Sequence, residues 1–64
     1  MPVVHIYMYA GRTKEVKSEL VKRISKDFEE VANIKPASLN ILFHDVEKQD
    51  WAIGGALASE TPPK

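Results

Sequence analysis

The sequence predicts an α+β fold: one β-α-β unit with two parallel strands, closed by a short C-terminal hairpin. Three observations predict it. Apolar residues alternate with period two over the first nine positions and again over residues 38–46. Between these stretches, apolar residues recur every four positions, the spacing of one helix face. Gly54-Gly55 then separates two short apolar stretches, a hairpin signal.

The first strand starts almost at Met1. Val4, Ile6 and Met8 alternate with Val3, His5 and Tyr7, and Val, Ile and Tyr suit a pleated surface. Pro2 fits a first strand position, where no ladder hydrogen bond is asked of it. The strand ends near Tyr9, and Gly11 marks a turn. Thr13 is the expected N-cap, with Glu15 in the first turn complementing the helix dipole.

The helix is expected from about Lys14 to about Val31. Val16, Leu20, Ile24 and Phe28 form its apolar stripe, widened by Val21 and Val31. The interspersed Lys and Glu residues read as a solvated face. Asn33 can stop the helix and Pro36 prevents its continuation. Ser38 to Val46 is the second strand, 45–50 a polar loop, and Trp51-Ala52-Ile53 and Ala56-Leu57-Ala58 the arms of the hairpin. The whole chain, 1–64, is one domain, with 59–64 expected to fray as a tail.

A strand, a helix and a strand of these lengths imply a right-handed parallel crossover. One helix covers one face of a two-stranded sheet. The other face carries Val3, Tyr7 and Leu42, and parallel sheets rarely leave a face wet. A chain of 64 residues also buries little core alone, and it has no Cys to cross-link. The economical remedy is another copy of the chain, covering the open face and the sheet edges.

Bulk chemistry narrows the function. Nine basic residues balance nine acidic ones, so there is no footprint for nucleic acid or an anionic membrane surface. No apolar run approaches a membrane span, and no signal-peptide pattern is present, so a cytoplasmic location is expected. His5 and His44 lack zinc-site spacing, and no metal is expected.

Pro2 has a chemical meaning besides its structural one. An initiator Met is usually trimmed before a small residue such as Pro. Trimming leaves a secondary amine, a base held in a fixed direction at a strand end. With Met1 attached, that nitrogen is a tertiary amide and no base. On position alone the structural meaning is the commoner one. The same holds for Arg12 as a solvated charge, Trp51 as a packing anchor and Asn40 as a polar strand residue.

Taken together, Pro2 at the start of strand one, Gly11-Arg12-Thr13 at the helix start, Trp51, and Ile53-Gly54-Gly55 followed by Leu57-Ala58 resemble the 4-oxalocrotonate tautomerase family. The resemblance covers Pro2 to about Ser59. It implies a dimer whose two pairs of parallel strands join into a four-stranded sheet. It further implies that three dimers often make a hexamer, with a dimer or a trimer as the alternatives, and that each hairpin packs on a neighbour. It implies no cofactor. It places the catalytic base at Pro2, a carboxylate-binding arginine at Arg12 and an apolar site wall at Trp51. Dicarboxylate tautomerases of the family carry a second arginine in strand two. Ungapped alignment puts Asn40 there, which implies a slower or differently tuned enzyme.

The expected function is therefore an isomerase. It would interconvert enol and keto forms of a small unsaturated 2-oxo or 2-hydroxy carboxylic acid, with Pro2 catalytic and Arg12, Asn40 and Trp51 binding substrate. Two readings compete. The same proline could serve a haloacrylate dehalogenase or hydratase, which needs a water-activating carboxylate. Alternatively the fold is an oligomeric binding or scaffold module without chemistry.

Overall fold

The structure, a computed structural model, describes residues 1–60. Strand β1 (Val3–Tyr9) leads into helix α1 (Lys14–Ala32), and a 3-10 turn (Pro36–Ser38) delivers the chain to strand β2 (Asn40–Val46). A second 3-10 turn (Lys48–Asp50) precedes the hairpin strands β3 (Ala52–Ile53) and β4 (Ala56–Leu57), and a third (Ala58–Glu60) follows them. Of the expected tail, residues 61–64 lie outside the described residues. Strand β2 starts two residues later than the alternation suggested, because Pro36 opens a 3-10 turn that runs through Ser38.

Local chemistry explains each boundary. Thr13 is extended, and its hydroxyl oxygen accepts from the Val16 N–H at 3.2 Å, satisfying a donor that the first helical turn leaves open. Asn33 ends α1 in the left-handed region at φ 57°, and its N–H donates to the Glu29 carbonyl. Asn is one of the few non-glycine residues that adopts this conformation readily. Gly54 and Gly55 both have positive φ, 62° and 88°, as a tight two-residue hairpin turn requires.

Strands β1 and β2 pair in parallel over their full length, from Val3 opposite Asn40 to Tyr9 opposite Val46. The register sorts side chains between two faces. Val4, Ile6, Met8, Ile41, Phe43 and Asp45 face α1. Lys17 marks that face, with its ammonium 2.5 Å from Asp45 and 5.7 Å from the centre of the Phe43 ring. Val3, His5, Tyr7, Asn40, Leu42 and His44 share the face that no helix covers.

The helix stripe is rotated relative to its sequence expectation. Lys17, Leu20, Val21, Ile24, Ser25 and Phe28 are half-buried, whereas Val16 and Val31 are exposed, Val31 to 87%. The aliphatic stem of Lys17 covers apolar surface while its charge reaches Asp45.

None of the described residues is fully buried, so the single chain has no enclosed core. It is also extended: the Cα radius of gyration is 15.0 Å, against about 11 Å for a compact chain of this length. Val3, Tyr7, Leu42 and Ile53 all present large apolar surface to solvent. These are the properties of a subunit whose core is completed by other subunits.

Candidate active site

The four residues singled out by the sequence divide between the two ends of β1. Pro2 and Asn40 lie at its start, where the Asn40 N–H donates to the Pro2 carbonyl at 3.1 Å. Pro2 is half-buried, whereas Met1 before it is 89% exposed. The Pro2 ring is thus tied to β2 through its own carbonyl, independently of Met1. With Met1 attached, the Pro2 nitrogen is an amide and no base. Asn40 is next to Val3 in the register, and its exposed side chain lies on the helix-free face.

Arg12 and Trp51 lie at the other end. Ala10 closes β1 by donating its N–H to the Val46 carbonyl at 2.9 Å, and Arg12 follows two residues later in the turn before α1. Arg12 is exposed and has no ion-pair partner among the described residues. The Trp51 ring packs edge-on against Tyr9, the last residue of β1, with centroids 4.8 Å apart. The Trp51 carbonyl accepts from Ala58 N–H at 2.7 Å, which fixes the base of the hairpin.

Sequence reading missed two members of this second cluster. Tyr9 forms a wall with Trp51, and the Lys48 ammonium sits 5.4 Å over the Tyr9 ring. Counting residues along the strand would have found Tyr9, since it ends the strand nearest the Arg12 turn. Lys48 carried no signal, because its position depends on the 3-10 turn Lys48–Asp50 folding back.

The separation between the clusters is large. Seven extended residues span roughly 23 Å at about 3.3 Å each, far beyond the reach of an arginine. Within one chain, therefore, Pro2 and Arg12 cannot touch one small substrate. Concavities of about 340 and 260 Å³ lie along α1, lined by Lys14, Glu15, Ser18, Glu19 and Lys22 and by Asp27, Phe28, Val31 and Ala32. Neither is walled by Pro2, Arg12, Asn40 or Trp51.

No group of three or more His, Asp or Glu side chains among the described residues could hold a metal ion. Among them, too, no helix is long and apolar enough to cross a membrane. His5 and His44, to which the sequence assigned no role, hydrogen-bond one another at 2.8 Å.

Comparison with known proteins defines the class. The family of tautomerase enzymes matches residues 2–60. The 2-hydroxymuconate tautomerase of Comamonas testosteroni is 33% identical over 60 residues, covering 94% of this chain and 95% of that protein. A 4-oxalocrotonate tautomerase isozyme from Methylibium petroleiphilum superposes with TM-score 0.82 at 31% identity, over 91% of this chain and 94% of that one. A heterohexameric 4-oxalocrotonate tautomerase from Chloroflexus aurantiacus superposes with TM-score 0.86 at 26% identity, over 97% and 100%. The chain belongs to the tautomerase family, and its β-α-β unit with a C-terminal antiparallel hairpin is the fold of those enzymes.

Proposed function

We propose that this protein is a cofactor-independent tautomerase whose active site is assembled between two copies of the chain. It ketonises a small unsaturated 2-hydroxy carboxylic acid of the 2-hydroxymuconate kind. The observation that carries this reading is the split of the site residues between the two ends of β1 in a family of tautomerases.

Among the described residues, both edges of the two-stranded sheet are unpaired. A second copy laid antiparallel along β1 extends it to four strands and reverses the ends. Pro2 of one copy then sits beside Arg12 and Trp51 of the other. A twofold axis makes two identical sites per dimer.

In this arrangement each group has a task. Removal of the exposed Met1 frees the Pro2 nitrogen. The apolar Trp51 wall and the Arg12 cation both disfavour its protonated form, so the amine is available as a base. The enol O–H proton passes to the Pro2 nitrogen, the electron pair shifts through the conjugated chain, and Pro2 returns the proton to carbon. One base thus serves both half-steps. Arg12 grips a carboxylate with two parallel N–H bonds and fixes the substrate against the base. Asn40 offers a neutral amide where a second cation would bind more strongly.

The test is ketonisation of 2-hydroxymuconate by protein whose intact mass lacks Met1. Pro2→Ala is expected to lower kcat by about 10²–10⁴-fold, the usual contribution of a positioned base. A Pro2→Ala protein of wild-type activity, or a fully active protein that retains Met1, overturns the assignment of the base.

A further inference from the structure

Lys48 is a cation to which the proposed reaction gives no task. Its ammonium lies 5.4 Å from the centre of the Tyr9 ring, and the Trp51 ring meets Tyr9 edge-on with centroids 4.8 Å apart. Both contacts are set by one 3-10 turn, Lys48–Asp50. The Asp50 N–H donates to the Glu47 carbonyl at 2.8 Å and the Trp51 N–H to the Lys48 carbonyl at 3.3 Å. Lys48 and Trp51 are thus tied at the backbone while their side chains reach the same ring. Lys48 has no ion-pair partner among the described residues, and its neighbours in the turn, Glu47 and Asp50, are in no ion pair either.

Arg12 and Lys48 leave the sheet at the same end. Strand β1 ends at Tyr9 and β2 at Val46, opposite one another in the parallel register. Arg12 follows Tyr9 by three residues, and Lys48 follows Val46 by two. Paired strands are about 4.8 Å apart, so two exposed cations emerge from adjacent strands beside one aromatic wall.

We propose that Lys48 is a specificity-determining residue: its ammonium takes the second carboxylate of a dicarboxylic acid whose first carboxylate Arg12 holds and whose unsaturated chain lies on the Tyr9–Trp51 wall. The inference rests on the tautomerase reading for the place of the site, and it supplies a second cation that Asn40 does not.

The face of an aromatic ring attracts an ammonium without occupying a hydrogen-bond acceptor. Tyr9 therefore holds the flexible Lys48 side chain in place and leaves its three N–H donors open to an anion. A cation placed in advance loses less freedom when the anion arrives. Discrimination between acids then falls on Lys48 by elimination. The Tyr9–Trp51 wall meets the same apolar chain in a monocarboxylate and in a dicarboxylate. Arg12 grips one carboxylate of either. Only the far end of the molecule differs, and there a methyl group gains nothing from an ammonium, whereas a carboxylate pairs with it. The apolar wall also shields one side of that pair from water, which keeps it stronger than a fully solvated one.

The test is binding of trans,trans-muconate and of sorbate, which share one conjugated diene and differ in carrying a carboxylate or a methyl group at the far end. The fluorescence of Trp51, the only tryptophan in the chain, reports on the wall itself. The wild type is expected to prefer muconate, with a preference that shrinks as salt rises. Lys48→Met keeps the length of the side chain without its charge. It is expected to weaken muconate binding about tenfold, the loss of one contact to a charged group, and to leave sorbate binding unchanged. Lys48→Arg is expected to restore the preference, since a guanidinium also lies on an aromatic face. Lys48 is exposed, so neither substitution opens a cavity. A wild type that binds neither acid, or both equally, overturns the proposal. So does a Lys48→Met protein that keeps the preference or loses both acids alike, and so does a Lys48→Arg protein that behaves as Lys48→Met. Ketonisation by the same proteins reads the enzyme assignment separately. Discriminating binding without turnover sinks the base and leaves Lys48 its role, whereas turnover without discrimination does the reverse.

Discussion

In the proposed reading, Asn40 stands where the resemblance to dicarboxylate tautomerases puts a second arginine. It stands opposite Val3 in the register, its backbone N–H donates to the Pro2 carbonyl, and its side chain is an uncharged amide. A charge-assisted bond is roughly twice as strong as a neutral one. Asn40→Arg is therefore expected to raise kcat/KM on 2-hydroxymuconate by about tenfold, or 1.4 kcal/mol in the barrier. Steady-state kinetics checks this, and no gain would show that Asn40 faces something other than substrate. Asn40 also lies on the face opposite α1.

Among the elements, α1 depends most on its ends. Its last turn holds no basic residue, and its N-terminus relies on Thr13 and Glu15. The Arg23–Glu19 pair at i,i+4 contributes a few tenths of a kcal/mol. The Thr13 cap contributes more, and Thr13→Ala is expected to cost about 1 kcal/mol. The effect should appear as a lower urea midpoint with unchanged slope, measured at one fixed protein concentration because association adds to stability. An unchanged midpoint would mean that packing, not the cap, holds the first turn. In the proposed function strand β1 is the organising element, because its length sets the distance between Pro2 and Arg12.

At the scale of the whole molecule, the proposed composite site makes a numerical prediction. Pro2→Ala and Arg12→Ala proteins should each be nearly inactive. If they are unfolded together and refolded as an equal mixture, half of the dimers are mixed. Each mixed dimer has one of its two sites intact, so roughly one quarter of wild-type activity should return. A site built within one chain would give no recovery. The single chain leaves apolar surface exposed at Tyr7, Leu42 and Ile53, and pairing along a strand edge alone would leave Tyr7 and Leu42 on the open face.

Much of this protein was legible from residue order alone. Strand alternation, the helix repeat, the Thr13 cap, the Asn33 stop and the Gly54-Gly55 turn are local properties. Each is set by neighbours within a few positions, and the structure has them where the sequence put them. The late start of β2 and the rotation of the helix stripe away from Val16 and Val31 were not legible. The first depends on how Pro36 turns the chain, the second on which side of α1 meets Phe43 and Asp45. Register likewise decided that His5 bonds His44 across 39 positions, since only pairing of β1 with β2 brings them within reach. Sequence by itself named Pro2, Arg12, Asn40 and Trp51 through family likeness. Only the tertiary structure determined that they stand at opposite ends of one rigid strand, because distance along an extended backbone is a property of the fold and not of residue type.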